Sequence, residues 1–201
     1  MNEIQLCNLA LSLIGNKEIT SLERPTVSEE KVCKLWFDIT LKEALIKSSP
    51  NFARRRTYIP LDNTEPVFGY TYRYKKPNNC LKIIGIGEAQ DLNNDYIVEG
   101  QYIETNYINE NKIAIRYIYN ETDCTKFSTG FINYFITLLA KNICYQLNKD
   151  SGVVGYLEQL ADKRLLEANT EENQESKIKV ISQSRYKQAM RIGTASVQEI
   201  K

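Results

Sequence analysis

The sequence predicts an α+β fold, mainly helical: an antiparallel bundle of about four helices with a small antiparallel β lobe inserted in it and an extended C-terminal tail. Three observations predict it. The stretch from Phe127 to Leu147 is long and apolar with helical periodicity, residues from about 57 to about 119 switch to period two, and the apolar period disappears from Lys177 onward. The domain reading follows, with residues 1–56 and 120–176 forming the bundle, 57–119 the lobe and 177–201 the tail.

In the Phe127–Leu147 stretch, Gly130, Asn133, Thr137 and Lys141 recur every three or four positions and fall on one narrow strip of a helix. Phe131, Tyr134, Phe135 and Leu138 flank that strip, and Ile132, Ile136, Leu139, Ile143 and Leu147 cover the opposite side, so the helix is expected to be buried almost all round. A membrane span of this length is the rival reading. Lys141, near its centre, would cost about 2.5 to 3.5 kcal/mol there, and Asn133, Asn142 and Gln146 would need partners, so a protein core is expected and no membrane contact.

The first element is a short helix from Glu3 to Ile14, with a stripe of Leu6, Ala10 and Leu13 and with Gly15 where a helix would cap. After Pro25, Thr26 and Glu29 have capping-box spacing, which predicts a second helix from about Val27 to about Lys47 burying Val32, Leu35, Trp36, Ile39 and Ile46. Ser48, Ser49 and Pro50 end it. In the lobe, Phe68, Tyr70, Tyr72 and Tyr74 share one face, as do Ile113, Ile115, Tyr117 and Tyr119. Shorter strands are expected around Leu81–Ile86 and Tyr96–Ile103, with turns at Pro77-Asn78-Asn79, Asn93-Asn94 and Asn109-Glu110-Asn111. Ser151 is the expected N-cap of a last helix whose Val154, Leu157, Ala161, Leu165 and Ala168 face inward.

Composition narrows the function. At 201 residues the chain holds one sizeable core, or a core with a smaller lobe, and its formal net charge of +1 exerts no global pull on nucleic acid or an acidic membrane. It has no histidine, which removes Ser/His and Cys/His nucleophile pairs, the HExxH metal motif and histidine acid/base chemistry. Five cysteines without a CxxC pair sit inside apolar patterns and read as reduced, packed thiols rather than a disulfide framework or metal site. The first residues carry an acidic group where a secretion signal wants a basic one, so folding in a cytoplasm is expected. No cofactor, metal or catalytic residue is expected.

Other patterns point to simpler roles. Gly85-Ile86-Gly87 lacks the rest of a phosphate loop and reads as a strand-end bend, and Asp91, Asn93 and Asp95 fail the calcium-loop pattern at Tyr96 and Tyr102. Glu171, Glu172 and Glu175 read as a solvated face at a helix end rather than as catalytic carboxylates. Arg54, Arg55 and Arg56 beside Tyr58 are the best candidates for a phosphate backbone, but the near-neutral overall charge favours the alternative that they pair with carboxylates of this chain or a neighbouring subunit. Tyr70, Tyr72 and Tyr74 suit a half-buried sheet that meets a neighbour. The tail alternates Lys179, Arg185, Lys187 and Arg191 with Ile181, Tyr186, Met190 and Ile192; with too few apolar residues for its own core, it is expected to order on a partner.

The order of segments resembles the tail tubular protein A family of short-tailed bacteriophages, the head-to-tail adaptors. The stretches that carry it are Leu9–Gly15; Cys33–Leu45 followed by Pro50–Arg54; Tyr72–Leu81; Val98-Glu99-Gly100; Ile115–Ile118; and Phe127 through Ile143. They recur in family order across about residues 6 to 170, and it is their series, not any one motif, that is specific. Asn51 departs from the family's tryptophan and Asn79 from its usual aspartate. The resemblance implies a dodecameric ring between the portal protein and the tail nozzle or next tail ring, part of the virion and made in the host cytoplasm. Genomic DNA would pass through the lumen without specific binding, and the tail would reach along the portal. The alternative is a nucleic-acid-binding module using Arg54, Arg55, Arg56 and the basic tail; a cell-wall glycan hydrolase finds no carboxylate pair to support it.

Overall fold

The computed structural model describes residues 1–88, 95–107 and 111–175. Among these the chain is α+β, with four α helices and two small antiparallel sheets. Helices α1 (Glu3–Leu13) and α2 (Ser28–Ser48) lead through a 3-10 turn at Asn51–Ala53 into strand β1 (Arg54–Pro60). Strands β2 (Tyr72–Lys75), β3 (Cys80–Ile86), β4 (Tyr96–Glu99), β5 (Tyr102–Thr105) and β6 (Lys112–Tyr119) follow. A second 3-10 turn, Cys124–Lys126, then opens onto α3 (Thr129–Asn148) and α4 (Ser151–Glu175). No described helix is long and apolar enough to cross a membrane.

The other three helices all touch α3. Its Phe131, Phe135, Leu139 and Ile143 are fully or almost fully buried, each contributing about 1.5 to 3 kcal/mol by leaving water. Phe135 meets Phe37 of α2 edge-on, with centroids 5.3 Å apart, and Phe131 meets Phe52 of the first 3-10 turn at 5.0 Å. The polar strip of α3 is the seam with α4. Gly130 lies against the Ala168 backbone, Thr137 accepts from Arg164, whose guanidinium also donates to the Asn133 carbonyl, and Lys141 pairs with Glu158 at 3.7 Å. Small and hydrogen-bonding residues there let two helices approach where bulky apolar ones would hold them apart.

Three helix details differ from expectation. Glu30, not Glu29, caps α2: its carboxylate accepts from the Thr26 N–H at 2.7 Å, the Thr26 hydroxyl at 3.2 Å and the Val27 N–H at 3.4 Å. The buried face of α2 is Cys33, Phe37, Thr40, Leu41, Ala44 and Leu45, turned away from the predicted one. Leu35, Ile39 and Ile46 are 58, 54 and 37 % exposed, with Val32 and Trp36 half-buried at the flank. The helix has more apolar positions than α3 can cover, and the Thr40 hydroxyl, which accepts from the Asn142 amide, fixes which of them point inward. Asp150, not Ser151, caps α4 by accepting from the Gly152 and Val153 amides.

In the sheets the order is β1-β6-β3 in one and β2-β5-β4 in the other. Both contribute to one apolar cluster of Ile59, Tyr74, Ile83, Ile86, Ile103, Ile113, Ile115 and Tyr117. Strand alternation sends Ile118 of β6 the other way, into the helical core. Two details differ here too. Phe68 is 85 % exposed and lies outside any strand, because β2 starts only at Tyr72, and the Gly85 bend is a register shift inside β3. The turns at Asn93-Asn94 and at residues 109 and 110 lie outside the described residues, as do Asp91 and Asn93 of the failed calcium pattern.

Two outcomes follow from these contacts. A Cβ added at Gly130 would lie 3.1 Å from the Ala168 Cα and closer still to Glu171 Oε2, so Gly130→Ala is expected to lower the stability read from urea unfolding by about 1 to 3 kcal/mol. A gain of up to about 1 kcal/mol, the ordinary effect of this change in an open helix, would show that the seam is loose. Hydrogen bonds from Thr26 and Val27 hold the Glu30 carboxyl below its ordinary value. A lowered carboxyl stabilises the fold above the unfolded pKa and loses that effect as pH falls through the folded value. Glu30→Gln should therefore flatten the acid limb of the stability profile, and an unchanged acid limb would refute the cap's contribution.

Candidate functional site

The three arginines lie in β1, and strand alternation separates their roles. Arg55 points to the side of Tyr117, its partner in register, and its guanidinium donates to Glu121 at 2.8 Å and to the Phe52 carbonyl at 2.8 Å. It also lies over the Tyr119 ring, 5.5 Å from the centroid. Buried Glu121 takes Lys126 as well, at 3.2 Å. Arg55 is thus an ion-pair partner of a carboxylate of this chain, the alternative weighed for the arginine run. Arg54 is exposed, but its Nε donates to the Ser49 carbonyl at 3.0 Å and helps close the end of α2.

Arg56 is different. On the outward face of β1 it sits directly across the ladder from Arg116 of β6, while Tyr58, two residues on, faces Ala114. Lys112 reaches back over the Tyr58 ring, with Nζ 4.8 Å from the centroid, and the Tyr58 hydroxyl donates to Glu88 at 3.1 Å. That carboxylate raises the hydroxyl's pKa above its ordinary value. Arg56, Thr57, Tyr58, Gly87, Glu88 and Arg116 border a recess of about 250 Å³ floored by Ala114 and Ile115. None of the ion pairs among the described residues uses Arg56. Among the described residues this face carries Arg56, Arg116, Lys112 and Glu88, with Arg54 two residues before Arg56 on the same strand.

The expected contact tyrosines divide. Tyr70 and Tyr72 are half-buried, but Tyr74 is fully buried in the sheet cluster, so it is a packing residue and not a contact. Among the described residues its hydroxyl has no hydrogen-bond partner, and burial pushes its pKa up. The acidic end of α4 also changes meaning. Glu172 is buried and accepts from the Asn51 N–H at 2.7 Å and the Ser128 hydroxyl at 3.2 Å, while the Asn51 side-chain amide donates to the Glu172 carbonyl at 3.0 Å. It is a clasp between three segments rather than a solvated face. The tail residues Lys179, Ile181, Arg185, Tyr186, Lys187, Met190, Arg191 and Ile192 lie outside the described residues.

All five thiols are free, and only Cys80 is even partly accessible. The hydrogen bond with Cys33 and burial push the Cys7 thiol up, and burial pushes Cys124 up to about 11, so these thiols are poor nucleophiles near neutral pH. Among the described residues no group of three or more cysteines and carboxylates is placed to hold a metal ion. A second candidate surface is the side of α2 that the described residues leave uncovered, where Leu35, Ile39 and Ile46 lie in one row.

The sequence reading missed Arg116 and Lys112. Each sits in a strand whose other face is apolar, and only the β1–β6 register, a pairing between segments some sixty residues apart, brings them to Arg56 and Tyr58. No family model and no curated protein matches the chain.

The two neighbouring arginines should behave differently. Arg55→Met is expected to lower stability by about 1 to 3 kcal/mol, because it strips buried Glu121 of a charged hydrogen bond. Arg56→Gln should stay within about 0.5 kcal/mol, the range of surface changes. Urea unfolding of both variants checks this, and equal losses would contradict the division.

Proposed function

We propose that this chain is a structural connector subunit of the tail tubular protein A kind, joining the portal of a short-tailed bacteriophage to the tail nozzle or the next tail ring. In this reading the helices form a bundle with the strands as an inserted lobe. Copies close into a ring, dodecameric by resemblance, and genomic DNA passes through the lumen without sequence-specific binding. The tail, with Tyr186, Met190 and Ile192 as anchors and Lys179, Arg185, Lys187 and Arg191 steering toward carboxylates, reaches along the portal.

One observation carries the reading. Helix α2 is apolar on two faces, and among the described residues only one of them is covered. A row of Leu35, Ile39 and Ile46 left in water is what a subunit keeps for its neighbours. The order of segments from Leu9 to Ile143, which resembles the adaptor family, says what kind of assembly such a subunit would enter.

Native mass spectrometry of the chain, alone and mixed with portal rings of the phage that encodes it, tests this. Copies should add to the portal in a closed, symmetric number, and Leu35→Asp/Ile39→Asp should remain folded by circular dichroism yet fail to complete the ring. A chain that never joins the portal would end the connector reading. A double variant that assembles normally would remove α2 from the interface.

A further inference from the structure

We infer that the tip of the loop between β1 and β2, Val67-Phe68, is a plug that a second copy of this chain receives on the Leu35, Ile39 and Ile46 row of its α2. The inference rests on the connector reading for its setting, and names the half of the contact which that reading leaves open. Val67 and Phe68 are 86 and 85 % exposed, the most exposed large apolar residues of the described chain, and they are adjacent. Apolar surface gathered at one point of a loop marks a contact, where single exposed residues would not. The tip is also held ready. At the foot of the loop Leu61 bridges to buried Tyr74, the Asp62 N–H donates to the Arg73 carbonyl at 2.8 Å, and Thr71 donates through its N–H and hydroxyl to the Asn106 side chain at 3.0 Å. The Asp62 carboxylate accepts from the Thr64 N–H at 2.9 Å. Pro66 fixes its own φ before the tip, and Gly69 turns the chain behind it at φ +87°, a conformation that L side chains rarely adopt. A tip already ordered loses little entropy on being buried.

The receiving row belongs to another copy. Tip and row both keep their exposure among the described residues, so the chain does not bring its own two halves together. Strand β1 leaves the end of α2 at Arg54 and rises about 3.3 Å per residue to Pro60, which carries the loop away from the helices. A protrusion and a row on different parts of one chain are not one self-complementary patch. They meet head to tail, and a head-to-tail contact closes into a ring when its rotation allows. Charge agrees with this pairing. Asp62 and Glu65 precede the tip, and residues 62–71 contain no lysine or arginine. On α2, exposed Lys31 lies one turn before Leu35 and exposed Lys42 lies between Ile39 and Ile46 on the same side, with Asp38 alongside and Glu43 paired to Lys47. An acid-flanked tip suits a row that carries lysines, and is repelled by anionic lipid headgroups.

The test is photo-crosslinking of the full chain carrying Phe68→p-benzoylphenylalanine, mixed with heavy-isotope-labelled chain and irradiated both on portal rings and alone at high concentration. Crosslinks should join light to heavy chains, and peptide mass spectrometry should place them on α2 between Leu35 and Ile46. Leu35→Asp/Ile39→Asp in the heavy chain should remove them, and Glu65→Lys in the light chain should lower their yield severalfold. In native mass spectrometry Val67→Asp/Phe68→Asp, a change confined to exposed side chains, should keep the thermal unfolding of the unaltered chain yet fail to close the ring. The inference is overturned if Phe68 crosslinks only within its own chain, the segment after residue 176 included, only to the portal, or to nothing. It is overturned equally if the Val67→Asp/Phe68→Asp ring closes normally, or if the tip binds the chain to phosphatidylglycerol vesicles. The two readings fail separately. A tip variant that joins the portal in the full symmetric number ends this inference and leaves the connector reading standing. A light-to-heavy crosslink from Phe68 to α2 in a chain that never joins the portal does the reverse.

Discussion

The close approach of α4 to α3 at Gly130 and Thr137 is the constraint on which the rest of the structure depends. A long helix with aromatic and aliphatic residues on most of its surface folds in water only if neighbours cover it, and the strip without bulk is where the last neighbour fits. Once α4 lies there, its far end is carried to the point where α2 gives way to β1. Glu172 can then hold the Asn51 amide and the Ser128 hydroxyl together. The N-cap of α3, the turn after α2 and the end of α4 are therefore fixed by one carboxylate, which is buried because all three of those segments converge on it.

The helices and sheets are not independent layers. Strand β6 gives Ile113, Ile115 and Tyr117 to the cluster between the sheets and Ile118 to the helical core, so one strand takes part in both. Arg55 and Glu121 reinforce the same junction from the two chain segments that cross it. This explains why only Arg56 and Arg54 remain on the outward face of a run of three identical residues. Period two divides the run, and the junction claims the middle member.

Local pattern made much of this legible. The central helix, the inward set of α4 from Leu157 to Ala168 and the alternating face of β6 could all be read from spacing, because in each the polar and apolar positions separate cleanly. Helix α2 could not, because apolar residues surround it and spacing alone does not say which side meets α3. The capping side chains lie one position from those expected, at Glu30 and Asp150, where several side chains at adjacent positions could serve and only the chain's path selects one. The candidate site was half legible. Arg54 to Arg56 stood out as a run, but the pairing of Arg56 with Arg116 is a fact of register between distant segments and leaves no mark in either one. Asn51 gains its meaning only with Glu172 beside it.

The junction also has a mechanical side. Two strands, β1 and β6, run from the sheets toward the helices, they are paired along seven residues, and both leave at the same end, at Arg54 and Ile118. A pull that tries to part sheets from helices is shared between two chain crossings instead of falling on one. The crossings are fastened by Glu121 on one side and Glu172 on the other, so neither strand can be peeled away first. Among the described residues the sheets are therefore joined to the helices through two adjacent chain crossings rather than one.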